Sequence, residues 1–271
     1  MNGDRVFISL RAVIAFAIIA IIMFSFPKAS RDPTLGNGVV VLEEADEAKN
    51  STSQSLWLNS GGFVVMSGQL GSSIEGLLPY FSKWRFHYAL TLPVESSRGF
   101  RPQNVLRLLT QENFNDSTSH VYFKLNYYEK NESSTRNASN GMFLMSRYVD
   151  SDNLYYGGLR VDGAAVIKKK KAGQYLTLGY EPVIRGSYER TLNPNLMPQN
   201  QWFGVRMDTK TVKDGVELTL FLDLKERGLW QKVLRVTDDN DPLTENGLGG
   251  LRTDFMDVEF NNFEAKNLKT P

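Results

Sequence analysis

Residues 202–223 read WFGVRMDTKTVKDGVELTLFLD, and their spacing decides the fold. Phe203, Val205 and Met207 alternate with Trp202, Gly204, Arg206 and Asp208. Val216, Leu218, Leu220 and Leu222 alternate with Glu217, Thr219, Phe221 and Asp223. A period of two gives each strand one apolar row for a shared interior and one polar row for solvent or a ligand. Between the two runs, Lys213-Asp214-Gly215-Val216 reads as a hairpin turn, because Asp-Gly tolerates the positive φ such turns require.

The same texture extends on both sides. Val121, Phe123, Leu125 and Tyr127 alternate with His120, Tyr122, Lys124, Asn126 and Tyr128. Trp84, Phe86, Tyr88, Leu90 and Leu92 alternate with Arg85, His87, Ala89 and Thr91, and so read as a strand. Tyr155 to Asp162 and Met256 to Asn261 repeat the pattern, with Asp162-Gly163 as a second hairpin turn. Shorter apolar runs at 62–67, 104–110, 142–148, 164–170, 174–180, 230–236 and 248–252 bring the expected total to about twelve strands. Polar loops are expected at 111–119, 129–140 and 185–200, one helical turn at most at 71–80, and no other helix beyond the N-terminal segment. That count exceeds an immunoglobulin sandwich and fits an all-β, two-sheet antiparallel sandwich of jelly-roll type. No internal repeat of fixed period points to a propeller or solenoid.

Composition excludes several classes. The 271 residues hold no cysteine and two histidines, which removes a disulfide scaffold and a Cys/His zinc site. Charged residues make up 23% with a formal net charge of +1, so nucleic acid is not an expected partner. The N-terminus is different. Residues 12–27, AVIAFAIIAIIMFSFP, carry no charge, with Phe7–Leu10 adding apolar length upstream and Arg5 and Arg11 before the run. A membrane span needs roughly 20 apolar residues and a signal h-region fewer, so residues 1–30 read as a membrane anchor or a signal segment. A buried core helix is the remaining reading. An anchor through residues 7–27 places a single-pass protein at the cell membrane with its C-terminal domain outside; cleavage makes it secreted. Four Asn-X-Ser/Thr triplets, at Asn50, Asn115, Asn131 and Asn137, are candidate glycosylation sites that fit export. Residues 31–54, with the acidic run Glu43-Glu44-Ala45-Asp46-Glu47, read as a polar spacer, in which Val39–Leu42 has strand character. Residues 55–271 form the β domain.

Three stretches carry a family resemblance. Asn153-Leu-Tyr-Tyr-Gly-Gly-Leu-Arg-Val-Asp162 has the form of a central strand. Gly204-Val-Arg-Met-Asp208 and Gly215-Val-Glu-Leu-Thr-Leu-Phe-Leu-Asp223 form a strand pair. Gly249-Gly-Leu-Arg-Thr-Asp254 with Val258-Glu-Phe-Asn-Asn-Phe-Glu264 forms a closing signature. Over roughly residues 55–268 the chain resembles the concanavalin A-like lectin/glucanase superfamily, in particular its laminin-G-like jelly-roll domains. The resemblance implies a fold whose members include enzymes, binding modules and structural domains.

Within that resemblance, the glucanase strand motif E-x-D-x-x-E is absent, and Asp257 with Glu259 is the nearest carboxylate pair. No catalytic residue is assigned. His120, Tyr122, Lys124 and Tyr128 are expected on one strand face. With Arg147, Tyr156, Arg160 and Arg206 from other strands they form a candidate concave ligand face, with aromatics for sugar rings and cations for an acidic sugar. No cofactor is required. Calcium, which some laminin-G-like relatives bind, has one candidate cluster at Asp238, Asp239, Asn240 and Asp241, where an Asx turn is the plainer reading. Lys168–Lys171 reads as a solvated basic edge. The expected function is a membrane-tethered, surface-exposed carbohydrate-binding or adhesion domain for a polysaccharide or surface glycan. The alternatives are a polysaccharide-active enzyme, favoured by a Tyr/His/Arg cluster in one groove, and an accessory domain with a surface protein partner, favoured by a large exposed apolar patch.

Overall fold

The computed structural model describes residues 38–102 and 104–268. The expected anchor and residues 31–37 of the expected spacer lie outside the described residues. Among those described, no helix is long and apolar enough to cross a membrane. The strands are, in chain order, β1 (Val39–Glu43), β2 (Leu56–Ser60), β3 (Phe63–Ser67), β4 (Leu70–Ser72), β5 (Val105–Phe114), β6 (Ser117–Tyr128), β7 (Gly141–Asp150), β8 (Asn153–Arg160), β9 (Ala164–Lys171), β10 (Gln174–Pro182), β11 (Trp202–Val212), β12 (Gly215–Asp223), β13 (Gln231–Asp238), β14 (Gly247–Asp254) and β15 (Met256–Asn267). One α-helix, α1 (Lys83–Thr91), lies between β4 and β5.

The strands form two antiparallel sheets. One has eight strands in the order β1-β3-β4-β15-β6-β11-β12-β13, the other seven in the order β10-β9-β8-β7-β14-β5-β2. The core lies between them. Phe203, Val205 and Met207 of β11, Leu218, Leu220 and Leu222 of β12, and Val121, Phe123 and Leu125 of β6 supply it from the first sheet. Leu108, Leu144, Tyr155, Ile167 and Leu251 supply it from the second. The alternation in 202–223 thus sends its apolar row inward, and β11 and β12 pair from Gly204↔Asp223 to Val212↔Gly215. At Gly215 a side chain has no room: a Cβ would stand 2.1 Å from the Asp238 carbonyl oxygen.

Several expectations are corrected. Residues 84–91 of the expected strand are helical, with the Ser82 hydroxyl accepting from the Trp84 N–H at the N-terminus. The 71–80 segment holds no helical turn; it begins in β4. The loop expected at 111–119 is mostly strand, with Asn115 and Asp116 alone passing the chain from β5 in one sheet to β6 in the other. The β domain also begins before residue 55. β1 pairs with β3, Leu42 is buried in the core, and the Glu44 carboxylate accepts from the Gly61 and Gly62 N–H groups at 2.8 Å each. The acidic composition of 43–47 suggested solvent, but one of its carboxylates binds the backbone of the β2–β3 turn. Lys168–Lys171 is not a sheet edge, because β10 pairs outside β9, and Lys169 points into the core side.

Candidate functional site

The outward faces of β6, β11 and β15 lie side by side. Pairing sets Glu264 beside His120 and His120 beside Arg206, and in the next row Lys266 beside Thr118 and Thr118 beside Asp208. A bulge in β15 between Asn261 and Glu264, with Asn262 at φ 55°, lifts the strand at this point. On the other side, Trp230 approaches from the β12–β13 connection. It can lie against β11 because position 204 is glycine: a Cβ there would stand 2.7 Å from the indole ring and 3.0 Å from the Tyr122 ring. Trp230 packs 5.5 Å from Tyr122 and 6.2 Å from His120 between ring centroids. The result is a groove of about 610 Å³, lined by these rings together with Gln69, Thr118, Arg206, Asn262, Phe263, Glu264 and Lys266.

Its polar groups are held in place. The Arg206 guanidinium donates to both oxygens of Asp208, at 3.1 and 2.9 Å, and lies over the Phe221 ring; the Thr118 hydroxyl donates to the same Asp208 at 2.6 Å. The Tyr122 hydroxyl donates to the buried Asp223 at 3.2 Å. Burial, and then Asp223, push the Tyr122 phenol above its ordinary value. Burial lowers the His120 imidazole below its ordinary value; Glu264, 3.7 Å from Nδ1, pulls the other way, while Lys266 and Arg206 add to the lowering. The Lys266 ammonium, 2.6 Å from Glu264, holds that carboxyl below its usual range. The groove therefore offers a neutral histidine at neutral pH, fixed donors and acceptors, and an aromatic wall.

Of the residues singled out in the sequence, His120, Tyr122 and Arg206 meet in this groove. Lys124 follows on the same face, paired with Glu259 at 2.7 Å beside the Trp202 ring. Tyr128 does not. Asn126 is an extra residue in the β6–β15 pairing, so the alternation inverts: Tyr127 faces out, and Tyr128 turns into the core, where its hydroxyl meets Asn140. Arg147 is no surface cation. At φ 46° in a break of the β7 ladder it is wholly buried, donating to the Leu243 carbonyl, Thr211 and Asp116. Tyr156 and Arg160 belong to the outer face of the other sheet. There Tyr156 packs on Phe143 and beneath Arg252, and Arg160 is tied to Asp162. The expected single face is thus divided between opposite sides of the sandwich.

The two carboxylates of the nearest pair are held by different partners. Asp257 accepts from the Gly76 N–H and Arg101, Glu259 from Lys124. The oxygen donors expected for calcium converge on an ammonium instead. Lys169 Nζ donates to Asp238 at 2.8 Å and to the carbonyls of Asn240 and Asp241 at 2.7 and 3.2 Å. Lys171 takes the Asp241 side chain. Among the described residues, no group of three or more acidic or histidine side chains is placed to hold a metal ion. Of the glycosylation candidates, Asn50, Asn115 and Asn137 are exposed, and Asn131 is half-buried with its amide donating to the Glu95 carbonyl.

Composition had not marked Trp230, Asn262, Phe263, Glu264 and Lys266 for the groove. One signal was present: Gly204 interrupts the outward row of a regular strand, which marks a place where another group comes close.

The fold is an all-β sandwich of two antiparallel sheets. Solved structures similar to this chain include the carbohydrate binding module CBM66 from Bacillus subtilis, at 14% identity and a TM-score of 0.44, covering 60% of this chain and 83% of that one. Another is the VIP36 exoplasmic/lumenal domain in its Ca2+/Man2-bound form, at 11% identity and a TM-score of 0.46, covering 85% and 88%. A third is a mutant of the GH43 protein BlXynB from Bacillus licheniformis, at 11% identity and a TM-score of 0.40, covering 75% and 37%. Likeness at this level carries neither ligand nor mechanism to this chain. No family model matches the sequence, and no curated protein matches it.

Proposed function

We propose that this chain is a membrane-tethered surface domain that binds a glycan in the groove over β6, β11 and β15. The observation that carries the reading is the Trp230 ring laid over Gly204 beside Tyr122 and His120, with fixed polar groups around it. A sugar ring has apolar C–H faces and a rim of hydroxyls. An aromatic wall edged by Arg206, Asn262, Glu264 and Gln69 matches both, in a volume ordinary for a small-ligand site. The uncharged run at 12–27 supports the tether.

A second reading, polysaccharide lyase, is favoured by the meeting of His120, Tyr122 and Arg206 in one groove. Tyr122 is ill-suited as the base, because burial and Asp223 make its proton harder to remove. His120 is unprotonated at neutral pH and has the basic form that proton abstraction needs.

The test is binding of the full chain to a polysaccharide panel, with Trp230→Ala as comparison. The expected outcome is retention of at least one polysaccharide and a loss of about tenfold or more in the variant, the order of one aromatic hot spot. Equal retention by both proteins would remove the groove from consideration. Growth of ultraviolet absorbance from an unsaturated uronate product, abolished in His120→Gln, would replace binding with the lyase reading.

A further inference from the structure

Residues 75–101 form a layer of their own on the sandwich. Both ends are fixed. The Gly76 N–H donates to Asp257 at 2.8 Å, and the Ser97 hydroxyl to Glu129 at 2.7 Å; Arg101 lies 3.6 Å from Glu129 and 3.5 Å from Asp257. Within this layer α1 carries two apolar stripes. Trp84 and Tyr88 face the sandwich, where Tyr88 is buried and donates to Glu44. Phe86 and Leu90 face away, 61% and 85% exposed. Phe81 is 84% exposed, and Leu77, Tyr80, Val94 and Phe100 extend the apolar surface. A contiguous patch of this kind on a well-anchored segment marks an interaction surface.

The chemistry of the patch favours lipid. Its apolar groups protrude as single side chains, and the cations Lys83, Arg85 and Arg98 lie among them, against Glu95 as the acid between residues 77 and 100. The Arg85 guanidinium lies over the rings of Tyr80 and Phe100, at 4.9 and 4.2 Å. Aromatic and aliphatic side chains interleaved with cations are what an interfacial helix presents to headgroups and acyl chains. Chain length supplies the second argument. Between the apolar run ending at residue 27 and β1 at Val39 stand residues 28–38, which extended span at most about 40 Å. The far end of β1, about 14 Å further along, is tied to α1 by Glu43 and Lys83 at 2.6 Å. A tether of this length lets the patch reach the bilayer that holds the chain. It also keeps the local concentration of that bilayer high, so that weak affinity suffices.

We propose that α1 and its flanks seat on the membrane surface to which the chain is tethered. Phe81, Phe86 and Leu90 enter the headgroup–acyl boundary, and Arg85 and Arg98 face lipid phosphates. The inference rests on the tether reading and is tested apart from it. The chain has no cysteine, so Phe81→Cys, Leu90→Cys and, as a control in the β10–β11 loop, Leu192→Cys each carry a single nitroxide label. Leu192 is as exposed as Leu90. The full chain is reconstituted with phosphatidylcholine and phosphatidylglycerol, and carbonate resistance reports insertion of the tether. The expected result is an oxygen-to-nickel accessibility ratio at 81 and 90 several times that at 192. An inserted chain whose labels at 81 and 90 are as aqueous as at 192 overturns the inference and keeps the tether. A chain removed by carbonate overturns the tether; lipid contact of labels 81 and 90 on intact vesicles then still upholds the seat, and aqueous labels end it. Spin coupling between labels of two copies assigns the patch to self-association and overturns the inference as well.

Discussion

Lys169 stands where the sequence placed a possible cation site, and it is the cation. Its side chain is 5% exposed and that of Asp238 is 1% exposed. The Asp238 carboxylate also accepts from Tyr155 at 2.5 Å, so its second oxygen is not left bare. An ion pair this deep adds little to stability when compared with a well-packed apolar pair, yet losing one partner strands the other charge. Lys169→Met is therefore expected to cost about 3–5 kcal/mol in urea unfolding, and Lys169→Met with Asp238→Asn markedly less than the two single costs together. A single variant within about 1 kcal/mol of the parent would mean that water already reaches Asp238. The lysine run at 168–171 gave no hint of this, because four like charges in sequence look solvated. Strand alternation, applied to Lys169, sends it to the same side as Ile167, which is buried in the core.

At the scale of elements, Gly204 shows how β11 serves the groove. Replacing it with alanine forces a Cβ against the outer edge of the Trp230 ring, and that ring sits on a connection that can yield. Gly204→Ala is expected to change unfolding free energy by about 1 kcal/mol or less, because the displaced group is not core. It should still shift tryptophan emission and lower glycan retention toward the level of Trp230→Ala. Unchanged emission and retention would show that Trp230 is not seated by the glycine. Strands that face a dry core on one side and water on the other were legible from the sequence, because burial enforces the period of two; β11 and β12 are the clearest case. α1 was not legible, for a specific reason. On a helix, residues two apart differ by about 200°. The inward pair Trp84 and Tyr88 and the outward pair Phe86 and Leu90 therefore interleave into a false period of two. An ordinary helix, polar on its outer side, would not have produced it, so the misreading and the exposed patch have one cause. Tyr128 failed for another reason: the extra residue Asn126 reverses the alternation, and nothing in its chemistry announces a bulge. Only the part of the ligand face that kept regular pairing, His120, Tyr122 and Arg206, came together as spacing implied.

At the scale of the molecule, three layers are joined by different chemistry. The two sheets meet through an extended apolar core, whereas the 75–101 layer has only the small cluster of Ile74, Leu78 and Tyr88 and is clamped besides by two carboxyls around one guanidinium. Burial pushes the carboxyl of Glu129 above its ordinary value, against the Ser97 hydrogen bond and the Arg101 charge, and Asp257 adds to the rise. Burial raises Asp257 likewise, against the Gly76 N–H and Arg101. The native state thus holds more protons than the unfolded chain just above the ordinary carboxylate values. Stability from these two groups is fully present below those values and is lost as pH rises through the raised ones. His120 has the opposite sign: its native value is depressed, so its contribution is present above the ordinary histidine value of 6.5 and is lost as pH falls. Glu129→Gln keeps an acceptor for Ser97 and removes the charge. Its urea midpoint relative to the parent is expected to rise as pH climbs above the ordinary carboxylate value of 4.5, whereas His120→Gln gains on the parent only when pH falls below the ordinary histidine value of 6.5. A Glu129→Gln difference that stays flat or falls as pH climbs would show that Arg101 compensates the carboxylate fully. The clamp would then hold the outer layer on the sandwich as firmly at neutral pH as in acid.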